Sequence, residues 1–163
     1  MESINFAPDF ELKGIDENEN EFVCTLGTLL KTGKILVLFI YPKDNTPGCT
    51  METCDFRDNM NRLKDKTIVI GLSSDSLESH KKFQEKYGLP FPLLSDPEKK
   101  IIKQYKAFGK KTLYGKIVEG IIRSTFIIDK DKRILKHWHK VSPKGHVEEI
   151  LNFLKDLKKN TTD

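Results

Sequence analysis

Two hydrophobic patterns alternate along the chain. Residues 34–41, Lys-Ile-Leu-Val-Leu-Phe-Ile-Tyr, are an unbroken β-branched and aromatic run closed by Pro42, the pattern of a strand buried on both faces. Thr67-Ile-Val-Ile-Gly-Leu-Ser73 predicts a second buried strand. Between them the loop from Pro42 to Gly48 leads into a helical stretch ending at about Leu63. A further helix is predicted over 76–87, stopped by Gly88 and Pro90. Asp96-Pro97-Glu98 predicts another helix start, with Asp96 as N-cap, Pro97 at the first position, and Ile101, Ile102, Tyr105 and Phe108 as the apolar face. Strands at 124–129 and 133–140 flank the turn-like Asp129-Lys-Asp-Lys132. The last helix spaces Val147, Ile150, Leu151, Leu154 and Leu157 as an amphipathic stripe. This order predicts an α/β fold with a mixed central β-sheet flanked by helices.

Length and composition narrow the class. No repeat and no Pro/Gly/Ser-rich linker interrupts the 163 residues, so residues 1–163 are expected to form one domain. Charged residues at 32% and hydrophobic ones at 37% exclude disordered and low-complexity classes. A net charge of +4 is too dilute for a nucleic-acid surface, and Lys110, Lys111, Lys155, Lys158 and Lys159 read as solvated faces. The longest apolar run, 35–41, is far below the ~20 residues of a membrane span. The first ten residues lack the basic and apolar regions of a secretory signal, so a cytoplasmic location is expected. Asn160-Thr161-Thr162 fits a glycosylation pattern but reads as a polar tail. With neither a phosphate-binding nor a dinucleotide fingerprint, no cofactor is expected. His137 and His139 share one face of a strand with Trp138 opposite; lacking a third ligand, they read as a solvated pair, and no metal is expected.

The cysteines carry the chemistry. Three of them cannot all pair within one chain, and no Cys-x-x-Cys is present. Cys49 follows Thr46-Pro47-Gly48 on the first helical turn, where unsatisfied N–H groups and the positive end of the macrodipole favour a thiolate. It is a candidate nucleophile; the competing reading is a small buried residue under the helix. It projects with Phe56, Met60 and Leu63, whereas Cys54 shares a stripe with Asp58, Asn61 and Asp65. Five helical residues place the two α-carbons roughly 8–9 Å apart. A disulfide spans at most ~7 Å, so the pair can bond only if the first turns unwind. For Cys54 an incidental thiol is an equally weighted reading, and Cys24 reads as buried or incidental.

The run Pro42-Lys-Asp-Asn-Thr46-Pro-Gly-Cys49 resembles the Pro-x-x-x-Thr-x-x-Cys motif of peroxiredoxins. Extended through Thr-Met-Glu-Thr-Cys54-Asp-Phe-Arg-Asp, it is similar to the bacterioferritin comigratory protein, or peroxiredoxin Q, branch. The resemblance runs from Phe6-Ala-Pro-Asp-Phe10 through Leu94-Ser-Asp-Pro97 and Gly120-Ile-Ile-Arg123-Ser-Thr-Phe to the last helix. It implies a thioredoxin-like fold and an antioxidant peroxidase acting on hydrogen peroxide and organic hydroperoxides. Cys49 would be the peroxidatic cysteine and Cys54 the resolving one, forming an intramolecular disulfide recycled by thioredoxin or a similar dithiol. Pro42 and Thr46 would shape the pocket and Arg123 complete it, their hydroxyl and guanidinium donors aimed at the peroxide oxygens. The branch is often monomeric. The alternative is a non-enzymatic peroxide sensor using the same disulfide switch.

Overall fold

The computed structural model describes residues 5–161, with side chains through Lys158, so the Asn160-Thr161-Thr162 pattern lies outside the residues described in full. The two hydrophobic runs become β3 (Ile35–Ile40) and β4 (Thr67–Ser73) once the chain has made β1 (Glu11–Ile15), β2 (Glu21–Thr25) and the short α1 (Leu26–Leu30). β3 and β4 pair in parallel, Phe39 opposite Gly71. Parallel strands need a crossover, supplied by α2 (Pro47–Asp58) and the one-turn α3 (Met60–Leu63). α4 (Leu77–Tyr87) crosses from β4 to β5 (Leu93–Ser95), which is again parallel to it. After α5 (Lys100–Gln104) the hairpin β6 (Phe108–Leu113) and β7 (Lys116–Ile121) stands apart as its own two-stranded sheet. β8 (Ser124–Ile128) returns antiparallel to β3, β9 (Ile134–His139) pairs with β8, and α6 (His146–Thr161) follows. Among the described residues the main sheet has seven strands in the order β2-β1-β5-β4-β3-β8-β9.

β3 is apolar at every position because both of its faces are covered. With a side-chain period of two, Leu36, Leu38 and Ile40 join Ile70, Leu72, Phe126 and Ile128 on one face, beside α1 and α5. Val37, Phe39 and Tyr41 join Val69, Ile127 and residues of α2, α4 and α6 on the other. Phe39 anchors that second face, stacked on Phe56 of α2 at 4.4 Å between ring centroids and edge-on to Phe91 at 5.6 Å. The contact fixes α2 against the strand that feeds it.

Several expectations hold. α4 has Ser76 as N-cap, its hydroxyl accepting from Ser79 N at 3.1 Å, and Gly88 as left-handed C-cap at φ +59°. Three need correction. The stretch to Leu63 is broken at Asn59, whose side chain donates to Asp55 O at 2.8 Å in place of continuing the ladder. Asp96 does not cap a helix with Pro97 inside it; α5 begins at Lys100 behind a left-handed Lys99, and the Asp96 carboxylate accepts from Ile102 N at 2.9 Å across an intervening turn. Phe108 accordingly opens β6.

Close packing at Phe39 makes a stability prediction. A Cβ added to Gly71 would lie 2.8 Å from Leu93 Cδ2 and 2.9 Å from Phe39 Cζ. Gly71→Ala should therefore lower the unfolding free energy by about 1–3 kcal/mol in urea titrations, and an unchanged midpoint would show that this layer has slack.

Candidate active site

β3 ends under a loop that turns directly into α2. Thr46 is the N-cap by backbone conformation, and Pro47, with its fixed φ and no N–H, takes the first helical position. The Thr46 side chain makes no cap bond; its hydroxyl donates to Lys43 O at 2.9 Å and closes the turn before the helix. With its proton on Lys43 O, the Thr46 oxygen has lone pairs left for a further partner. Cys49, the third residue of the helix, is buried at 1% exposure and belongs to the cluster built on Phe39 and Phe56.

Arg123, in the short link between β7 and β8, reaches this sulfur. Its Nη2 donates to Cys49 Sγ at 3.3 Å while its Nη1 donates to Glu52 Oε1 at 2.8 Å. One planar cation thus spans a thiol and a carboxylate one helical turn apart, a task suited to a guanidinium fork. The pair is nearly dry, with side-chain exposures of 13% for Arg123 and 0% for Glu52. Burial pushes the Glu52 carboxyl up to about 7, although the Arg123 charge and hydrogen bond pull it back. Its second oxygen, Oε2, is buried with no hydrogen-bond partner, which is where a proton would sit. Burial works against the charge on Arg123, but Glu52 and Cys49 outweigh it and hold the guanidinium firmly ionised.

Close approach around the site is tight. A Cβ on Gly48 would lie 3.1 Å from Arg123 Nη2 and 3.4 Å from Pro143 Cγ, so a side chain there would press the guanidinium away from the first turn. Pro42 is half-buried at the end of β3. Lys111 of β6 is not the solvated lysine expected. Its stem crosses Gly120, where a Cβ would come within 3.0 Å of Cε, and its Nζ donates to Ile121 O at 2.8 Å. Burial, then repulsion from Arg123, lower its pKa, and Cys49 opposes them.

Cys54 sits in the same unbroken α2, partly buried, and both thiols are free. Burial raises the Cys54 pKa, with Arg57 opposing and Asp58 reinforcing that rise. Cys24 is buried in β2 within the opposite core layer, where burial pushes its thiol up to about 11. His137 and His139 do share a face, their rings 5.7 Å apart, with His137 stacked on Phe126 at 4.1 Å, while Trp138 packs against His146 and Phe153 on the other side. Burial lowers the pKa of both.

The structure therefore brings Arg123 to Cys49 and adds Glu52 and Lys111 beside them, with Thr46 at the N-cap of the same helix and Pro42 just past the end of β3. Glu52 carried a readable signal, since it lies three residues after Cys49 and so on its buried face. Lys111 carried none, because its hairpin is mostly exposed and shows no alternating pattern.

The profile of the AhpC/TSA family matches residues 5–137. The chain is 48% identical over 152 residues to "Peroxiredoxin Bcp" of Bacillus subtilis, covering 93% of each chain. It is 38% identical over 125 residues to "Peroxiredoxin Bcp" of Escherichia coli, covering 76% of this chain and 80% of that one. Among solved structures, a cysteine mutant of PrxQ from Xylella fastidiosa superposes with a TM-score of 0.83 at 34% identity, over 97% of this chain and 99% of that one. A Xanthomonas campestris bacterioferritin comigratory protein, solved in connection with its alkyl peroxide reduction activity, superposes with a TM-score of 0.78 at 34% identity, over 89% and 90%.

The buried Glu52 makes a pH prediction. Its folded value of about 7 lies above the ordinary 4.5, so between these values the folded state holds a proton the unfolded chain has lost. Stability should then fall with rising pH across that window, with a slope of up to about 1.4 kcal/mol per pH unit from this group. In urea titrations the parent should lose stability relative to Glu52→Gln as pH rises through the window; parallel curves would show that Glu52 is ionised throughout.

Proposed function

The chain belongs to the AhpC/TSA family and is a thiol-dependent peroxidase of the Bcp/peroxiredoxin Q kind, and from that premise we propose that Cys49 is its peroxidatic cysteine and Cys54 its resolving one. The observation that carries the reading is the 3.3 Å contact of Arg123 Nη2 with Cys49 Sγ at the first turn of α2. A thiolate there is held by a guanidinium and by helix N–H groups that the Thr46 side chain does not cap.

In this reading the Cys49 thiolate attacks the terminal oxygen of a hydroperoxide. The S–O bond forms as the O–O bond breaks, the alkoxide or hydroxide leaves and takes a proton from water, and Cys49 becomes a sulfenic acid. Arg123 donates to the oxygen on which charge grows, and the backbone N–H groups of Gly48 and Cys49 supply further donors. Thr46 accepts the peroxide O–H, since its own proton is engaged by Lys43 O. Pro42 shields the sulfur from bulk solvent.

Resolution requires α2 to unwind, because Cys49 and Cys54 are five residues apart on an intact helix and roughly 8–9 Å separate their α-carbons. The Cys54 thiolate then attacks the sulfenic sulfur, hydroxide leaves as water, and the disulfide forms. Thioredoxin or a similar dithiol returns both thiols by exchange and is itself oxidised. In the same reading the chain works as one thioredoxin-like domain over 1–163 and as a monomer. A cytoplasmic location fits a thiol pair that must be re-reduced; among the described residues no helix is long and apolar enough to cross a membrane.

Turnover decides the assignment. Cys49→Ser should lose peroxide consumption at the first turnover. Cys54→Ser should consume one equivalent and then stop with catalytic thioredoxin, whereas undiminished cycling would remove Cys54 from the resolving role. A parent protein that completes a single cycle and then stays bound to its reductant would be a sensor and not a peroxidase.

A further inference from the structure

The loop that carries Thr46 into α2 is tied to a buried charge network away from the cysteines. Asp44 and His80 are fully enclosed, with side-chain exposures of 2% and 0%, and His80 Nδ1 lies 2.7 Å from Asp44 Oδ2. On the other side of the ring, Nε2 lies 2.8 Å from Leu94 O in β5, a group that only accepts, so Nε2 carries a proton. One further proton lies between Nδ1 and Oδ2. The Asp44 carboxylate already accepts from Tyr41 OH at 2.6 Å on Oδ1 and from Ser79 Oγ at 2.8 Å on Oδ2. Two such donors favour the anionic carboxylate, the arrangement in which the shared proton lies on nitrogen.

The other acid of the neighbourhood, Asp75 after β4, is committed to the same loop. Its Oδ2 accepts from Asp44 N at 2.8 Å and from Ser73 Oγ at 2.6 Å. The next loop residue, Asn45, stands at φ +58° and accepts through Oδ1 from Lys86 Nζ at 3.3 Å and Tyr87 OH at 3.2 Å, both from α4. Asp44 and Asn45 are thus pinned to α4, and the Thr46 hydroxyl closes onto Lys43 O. The pinned segment ends where α2 begins.

We propose that His80 is a buried imidazolium that acts, through Asp44, as a positioning residue for the peroxide pocket: it holds Thr46 and the start of α2 fixed while the helix beyond them unwinds and re-forms. The assignment rests on Cys49 being the peroxidatic cysteine. None of these groups touches the peroxide. Their effect is geometric, and displacing an attack geometry by about 1 Å is enough to cost up to ~100-fold in rate. The thiolate itself depends on Arg123 and not on this network, so the two functions separate.

Two measurements test this. In the ¹⁵N-labelled parent at pH 7, His80 should show two protonated, pyrrole-like ring nitrogens; one pyridine-like nitrogen would overturn the ion pair. In Asp44→Asn, single-turnover oxidation of Cys49 by hydrogen peroxide should slow about tenfold or more, while alkylation of Cys49 by iodoacetamide keeps the parent rate. His80→Gln should behave alike, and the double variant should be no slower than the slower single, the signature of residues acting as a unit. A lowered melting temperature with peroxide oxidation at the parent rate would show a purely structural role and overturn the proposal. Cys49→Ser run alongside tests the underlying reading separately, since continued peroxide consumption there would sink that reading whatever His80 does. The nitrogen spectrum of the parent decides the ion pair even if the variants fail to fold.

Discussion

One guanidinium serves two acidic groups that the fold has taken out of water. Arg123 lies 2.8 Å from Glu52 Oε1 and 3.3 Å from Cys49 Sγ, and the two residues it bridges are a single turn apart on α2. If both were ionised, one positive charge would face two negative ones in a nearly dry pocket, where charges at such distances interact by about 4 kcal/mol even at an effective dielectric of 20. Burial raises the Glu52 carboxyl to about 7 against the pull of Arg123, and so spares the pocket that second negative charge. A protonated Glu52 still holds the guanidinium in plane through its carbonyl oxygen, and leaves the full charge to the sulfur. Glu52 is therefore less a rival for Arg123 than the brace that sets its angle.

That arrangement demands a rigid frame on one side and a yielding one on the other. The frame is β3, buried on both faces, with Phe39 stacked on Phe56 so that α2 docks against the strand it follows. The yielding part is the first half of α2. Thr46 withholds its side chain from capping, and Thr53 returns its hydroxyl to Cys49 O at 2.9 Å, competing for the carbonyl that the helix ladder uses. In the proposed cycle the turn that carries Cys49 is the part that opens, beyond the fixed helix start. Ahead of it, the loop anchored at Asp44 and Asn45 marks where the motion stops.

Much of this was legible in the residues. Unbroken apolar runs identified β3 and β4, since only strands covered on both sides can be apolar at every position. Pro47 and Gly48 marked the helix start, and the five-residue spacing stated the conflict between helix and disulfide. What escaped was set by tertiary contacts. Asp96-Pro97 has the composition of a helix start, yet the carboxylate caps a helix that begins at Lys100. The hairpin of β6 and β7 is largely exposed and carries no alternation to read, so the inward turn of Lys111 was invisible. Asp44 and His80 lie 36 residues apart, and nothing local to either tells that their side chains meet at 2.7 Å.

The proposed cycle makes Cys49 and Cys54 partners in chemistry although the folded helix keeps them apart. Peptide mass spectrometry under non-reducing conditions, after one equivalent of hydrogen peroxide, tests it most directly. The expected product is a single Cys49–Cys54 disulfide within one chain, with Cys24 still a thiol. A bond from Cys49 to Cys24, or to a second chain, would contradict it.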